Sequence, residues 1–219
     1  MKFLCLHGNG TNSNVMDIQT APLRHELEGG HEFEFVEASL EAPMSQVHGV
    51  EVLSSPNQSF YTFYNPEDLT TFHTAIKQLD EFIAMEGPYD GIMAFSAGAV
   101  LAASYMLEKQ RQGQIVPFDC AIFLSSANST VEKCYLGLDT YHDVIRIPTV
   151  HIWGSNDAIA PTGGKDLSLL CQVEHSLTFV HDGGHEIPRK GSLTEIAKLI
   201  RRTIHAAGHV GRRRITDVQ

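Results

Sequence analysis

Short apolar runs alternate with longer amphipathic stretches along almost the whole chain. Runs at 2–7, 32–37, 90–95, 118–125, 147–153 and 176–181 predict buried strands. Between them, helical spacing predicts helices over 15–28, 67–85, 97–111, 162–170 and 190–206. The last carries Leu193, Ile196, Ala197, Ile200 and Ile204 on one face, with Lys198, Arg201 and Arg202 between them. Pro66-Glu67-Asp68 suits a helix start, because proline is tolerated in a first turn and acids complement the helix dipole. The stretch between Ser125 and Ile147 carries no helical pattern and reads as a loop. Buried strands that alternate with helices imply an α/β fold, a mostly parallel sheet of about six strands with helices on both faces.

Residues 38–66 break the alternation. They hold Pro43, Pro56 and Pro66, and end near Phe60-Tyr61-Thr62-Phe63-Tyr64. Loops that follow strands in such folds gather where substrates bind. Phe60, Tyr61, Phe63 and Tyr64 are therefore candidate pocket residues; the competing reading is that these rings pin the loop to the body.

Length and charge narrow the picture. A chain of 219 residues suits one domain, expected over 1–207, with 38–66 as a lid or pocket loop. Residues 208–219, with Arg212-Arg213-Arg214, read as a basic, disordered tail. A net charge of −10 points away from nucleic acid and anionic membranes as partners. No apolar stretch reaches the roughly 18 residues of a membrane span. The four cysteines, Cys5, Cys120, Cys134 and Cys171, are widely separated. Reduced thiols in a cytoplasmic protein are expected.

Three strand ends carry candidate chemistry. Ser96 stands in Ala94-Phe95-Ser96-Ala97-Gly98, between an apolar run and a small-residue helix. The pentapeptide is a nucleophile elbow, G-x-S-x-G, whose first glycine is alanine. A helix-capping serine is the plainer alternative. Asp157 follows the strand that ends near Trp153, where a carboxylate can orient a histidine. His185 lies in the loop His181-Asp182-Gly183-Gly184-His185-Glu186, and is the candidate general base. His181 competes, but falls at the strand end, where burial is expected. Upstream, Leu6-His7-Gly8-Asn9-Gly10-Thr11 is a strand that runs into a Gly-rich turn. Backbone amides of Asn9 and Ala97 are the candidate oxyanion donors.

No cofactor or metal is expected. The Gly8-Asn9-Gly10 turn lacks the lysine spacing of a phosphate-binding loop and does not continue as a dinucleotide fingerprint. His181 and His185 flank Gly183-Gly184, which argues against a helical zinc motif, and no Cys-x-x-Cys pair exists.

Ser96, Asp157 and His185 occur in the chain order of an α/β-hydrolase. On these segments the sequence resembles the fungal serine-hydrolase family that includes the yeast family of small serine hydrolases and polyketide-releasing thioesterases. The resemblance spans about residues 1–205 and implies a Ser96–Asp157–His185 triad acting on acyl esters or thioesters. It further implies an acyl carrier protein of a polyketide synthase as a partner. A general carboxylic-ester hydrolase, an acyltransferase and a non-catalytic ligand-binding relative are the alternatives.

Overall fold

The computed structural model describes residues 1–47, 50–55, 57–137 and 144–216, the stretch 209–216 by backbone alone. In chain order the elements are β1 (Lys2–Leu6), α1 (Ser13–Leu27), β2 (Glu32–Val36), β3 (Leu40–Glu41), α2 (Val50–Leu53), β4 (Tyr61–Thr62), α3 (Thr70–Glu86) and β5 (Gly91–Phe95). Then follow α4 (Ala97–Arg111), β6 (Cys120–Leu124), α5 (Thr130–Leu136), β7 (Thr149–Gly154), α6 (Gly163–Ser168), β8 (Ser176–His181) and α7 (Leu193–Thr216).

Six strands form one sheet in the order β2-β1-β5-β6-β7-β8, and every pairing is parallel. The sheet grows outward from β1 in both directions. The strand order therefore reverses between β1 and β5, the kind of point beside which open α/β sheets bind ligands.

Side-chain alternation divides the core into two layers. Leu4, Leu6, Ile92, Ala94, Ala121 and Phe123 face one side, with α3 and α4. Phe3, Cys5, Met93, Phe95, Ile122, Leu124 and Val150 face the other, with α1 and α7. Each fully buried large side chain contributes about 1.5–3 kcal/mol through burial. Helix α4 is buried all round from Ala97 to Leu107, which explains its lack of a polar face. Among the described residues, no helix is long and apolar enough to cross a membrane.

The structure departs from the sequence reading in three places. The expected loop after Ser125 contains α5. Its apolar Val131 and Tyr135 are exposed while Glu132 is buried, so no apolar stripe marks it in the sequence. Tertiary bonds hold it instead: Tyr64 donates its hydroxyl to Glu132 Oε1 at 3.0 Å, and Arg111 donates to the Leu136 carbonyl at 2.7 Å. The 38–66 segment carries short elements, the antiparallel pair β3–β4 and α2, although Pro56 lies outside the described residues. Finally, α7 runs on to Thr216, through the first part of the segment expected as a tail; 217–219 lie outside the described residues.

Candidate active site

Asn9, Ser96, Asp157 and His185 follow β1, β5, β7 and β8 at the carboxyl edge of the sheet. Ser96 sits between β5 and α4 with φ 54° and ψ −120°, a left-handed conformation that costs a non-glycine residue on the order of 1–3 kcal/mol. The surroundings enforce it. The Ser96 amide donates to the Leu124 carbonyl at 3.1 Å, and Gly98 brings α4 against the end of β1. A Cβ at Gly98 would stand 2.5 Å from the His7 carbonyl oxygen, so only glycine permits this approach. Ala94 is fully buried, and its methyl group is accommodated.

His185 Nε2 lies 2.8 Å from Ser96 Oγ, and His185 Nδ1 lies 2.6 Å from Asp157 Oδ2. A carboxylate only accepts, so the proton of the second bond sits on Nδ1 and Nε2 is free to accept from the serine hydroxyl. The other carboxylate oxygen, Oδ1, accepts from the Ile159 and Ala160 amides at 2.9 and 2.7 Å. Asp157 and His185 are buried, while Ser96 is half-buried. The two loops are sewn together. Ser155 and Asn156 amides donate to the His181 and Gly183 carbonyls, and Asn156 Nδ2 donates to the Asp182 carbonyl. Ser125 Oγ, at the end of β6, donates to the Glu186 carbonyl at 2.9 Å.

His181 is the histidine that stays out of the relay. Its Nδ1 accepts from the Gly183 amide at 3.1 Å, and its Nε2 is buried without a partner. Burial lowers its pKa against the opposing pull of Glu186, Asp182 and Asp157. The buried thiols Cys120 and Cys171 are pushed up to about 12 by desolvation and are poor nucleophiles. Among the described residues, no group of His, Cys, Asp or Glu side chains is placed to hold a metal ion.

Asn9 is exposed at the turn after β1, and Ala97 opens α4 beside Ser96. The sequence reading left out what aims the Asn9 amide. His7 Nδ1 donates to the Gly8 carbonyl at 2.7 Å, and Thr11 Oγ1 donates to the same oxygen at 2.8 Å. His7 Nε2 faces both the Ala38 amide and the Glu37 carboxylate, each at 3.2 Å. The Gly8 carbonyl and the Asn9 N–H share one planar peptide. Holding that oxygen therefore holds the opposite N–H in direction. The His-Gly dipeptide in the sequence was the visible trace of this arrangement.

The four aromatic candidates separate. Tyr61 clamps the turn with its backbone: its carbonyl accepts from Gly10 at 3.0 Å and its amide donates to Thr11 at 2.8 Å. Phe60 is half-buried, and its carbonyl accepts from the Ala42 amide in the same clamp. Phe63 packs its ring 4.8 Å from that of His7 and lines a small apolar cavity with Val36 and Phe82. Tyr64 is not a pocket residue. It is buried in the core, its ring centroid 4.5 Å from that of Phe72, because its hydroxyl finds Glu132 there.

The family model described as serine hydrolase (FSH1) matches residues 1–196. Esterase FPY3 of Fusarium mangiferae is 37% identical over 199 residues, which cover 86% of this chain and 89% of that protein. Hydrolase FUB4 of Fusarium oxysporum f. sp. lycopersici is 36% identical, over 93% of this chain and 98% of its own. Among solved structures, Arabidopsis thaliana SOBER1 superposes with a TM-score of 0.59 at 17% identity, over 93% of this chain and 99% of its own. ClbQ from the colibactin NRPS/PKS pathway does so at 0.59 and 11% identity, over 95% and 98%. At those identities the structural likeness carries the fold alone, an α/β-hydrolase fold.

Proposed function

Because the chain belongs to the serine hydrolase (FSH1) family, we propose that it cleaves acyl thioesters and esters through an acyl-enzyme on Ser96, and that its specialised task is release of a polyketide acyl chain from a carrier protein. The hydrogen-bonded series Ser96–His185–Asp157, with separations of 2.8 and 2.6 Å, carries the reading.

His185 Nε2 takes the hydroxyl proton as Ser96 Oγ attacks the acyl carbonyl carbon. Asp157 stabilises the imidazolium and keeps the ring oriented. The Asn9 and Ala97 amides receive the oxyanion, which returns its electron pair as the bond to the leaving sulfur or oxygen breaks. His185 gives its proton to that leaving group. It then takes one from water, which attacks the acyl-enzyme carbonyl, and returns it to Ser96 Oγ as the bond to the acyl group breaks and the acid leaves. The chemistry accepts either leaving group. Names of relatives such as hydrolase FUB4 and esterase FPY3 are consistent with both.

The test is a panel of p-nitrophenyl esters and carrier-linked thioesters with wild type and Ser96→Ala. A loss of roughly 10⁴-fold is expected in the variant. Turnover near the wild-type level would remove Ser96 from the role. A preference for the oxygen ester over the carrier thioester of more than about tenfold in kcat/KM would leave a carboxylesterase as the specialised activity.

A further inference from the structure

Beside the relay lies a cleft of about 800 Å³, within the usual range for a ligand site. One wall is the loop between β8 and α7; Pro22 of α1 and Val52 of α2 stand on the other side. Gly183, Glu186 and Ile187, which flank His185 closely in the chain, are part of that wall. Three independent features give it a chemical character.

The first is the orphaned donor of His181. Its Nδ1 is an acceptor for Gly183, which leaves the proton on Nε2, and that N–H is buried with no acceptor. His181 is only 8% exposed and lines the cleft. Such a donor calls for an oxygen from a ligand. The second is the pair Arg189 and Lys190, exposed on the same lining. Among the described residues neither has an ion-pair partner, in a chain whose net charge is −10. The third is the start of α7, a long helix entered from Ser192, whose first amides have no intrahelical acceptors. Asp182 and Glu186 also line the cleft, near His181 in the chain; Arg189 and Lys190 precede α7, whose first turn carries Glu195 and, on Thr194, a bond to the Glu26 carboxylate.

We infer that this cleft holds the 4′-phosphopantetheine arm of the acyl substrate, with its phosphate on Arg189, Lys190 and the first amides of α7, and an amide carbonyl of the arm on His181 Nε2. Lengths agree. From phosphorus to sulfur the arm is about 13 bonds, or about 15 Å extended at the rise per bond of a peptide chain. From His185 to Lys190 is five residues, at most about 18 Å. The long side chains of Arg189 and Lys190 cover the few ångströms by which that upper bound exceeds the arm. Arginine and a helix N-terminus are the groups that suit a phosphate in an otherwise acidic protein.

The inference takes its chemistry from the thioester reading above, and the experiment separates the two. One acyl group is presented as the thioester of pantetheine, of 4′-phosphopantetheine, of coenzyme A and of a carrier protein. Wild type is compared with Arg189→Glu/Lys190→Glu. Wild type is expected to prefer the phosphorylated over the unphosphorylated arm by at least about tenfold in kcat/KM, through KM, and the double variant to lose that ratio. The coenzyme A and carrier-protein arms distinguish a free coenzyme from a carrier-linked source. Equal kcat/KM for the two arms in wild type, or a preference that survives the double substitution, would overturn the inference. Calorimetric titration of Ser96→Ala protein with 4′-phosphopantetheine and with pantetheine reads the cleft without turnover. If oxygen esters are cleaved and no thioester is, the thioester reading fails and the titration alone decides the cleft. Tighter binding of 4′-phosphopantetheine then upholds the anion site, and equal binding of the two removes it.

Discussion

Replacing Asp157 by asparagine isolates the part that a single tautomer plays. Asp157 Oδ1 accepts two backbone amides, from Ile159 and Ala160, at 2.9 and 2.7 Å. In Asp157→Asn that position still demands an acceptor, so the amide oxygen stays there. The amide nitrogen then faces His185 Nδ1, which lies 2.6 Å from the present carboxylate. A donor at that point forces Nδ1 to accept, and the ring proton moves to Nε2. His185 then presents N–H to Ser96 Oγ and cannot take its proton. The imidazolium also loses its counter-charge. A fall in kcat of roughly 10⁴ is expected, equal to about 5 kcal/mol at 1.36 kcal/mol per decade. Asp157→Ala leaves His185 free to adopt either tautomer, so Asp157→Asn is expected to be at least as impaired. Steady-state hydrolysis of a p-nitrophenyl ester by all three proteins, with thermal melts to confirm folding, measures this. If Asp157→Asn kept more than about a tenth of wild-type kcat, or clearly exceeded Asp157→Ala, the pinned-amide argument would be wrong.

Two further outcomes follow from the packing and charge. Tyr64→Phe removes the hydroxyl that Glu132 accepts at 3.0 Å and leaves a buried carboxylate without its donor, so urea denaturation should show a loss of about 1.5–3 kcal/mol with ester kcat/KM unchanged. Unaltered stability with a changed acyl preference would return Tyr64 to the substrate pocket. At Asp80, burial pushes the carboxyl pKa up, but hydrogen bonds from Lys109 and Tyr105 outweigh it and hold the group below its ordinary value. Its stabilising contribution is therefore complete above the unfolded value near pH 3.9 and is lost as pH falls through the lower folded value. The stability gap between wild type and Asp80→Asn should shrink as urea melts are taken from about pH 6 towards 3, and a gap constant with pH would contradict this.

The apolar runs determined the sheet, because strands covered on both faces leave continuous hydrophobic segments and their connections must then be helical. Ser96, Asp157 and His185 were legible for a related reason: in a parallel sheet chemistry collects at strand ends, and each of the three stands just past an apolar run. Local sequence could rank His185 above His181, but only the fold placed one nitrogen 2.8 Å from Ser96 Oγ and left the other histidine's Nε2 unpartnered. Helix α5 escaped detection because a buried Glu132 and exposed Val131 and Tyr135 invert the usual pattern, and its stability comes from Tyr64, distant in sequence. The same pairing decided that Tyr64 belongs to the core while Phe63 meets His7. The bracing of the Asn9 amide by His7 and Thr11, and the cleft that unites α1, α2 and the β8–α7 loop, depend on groups the chain brings together only on folding. Periodicity records which face of an element is buried; it does not record which distant side chain will satisfy a buried polar atom, and that choice belongs to the tertiary structure.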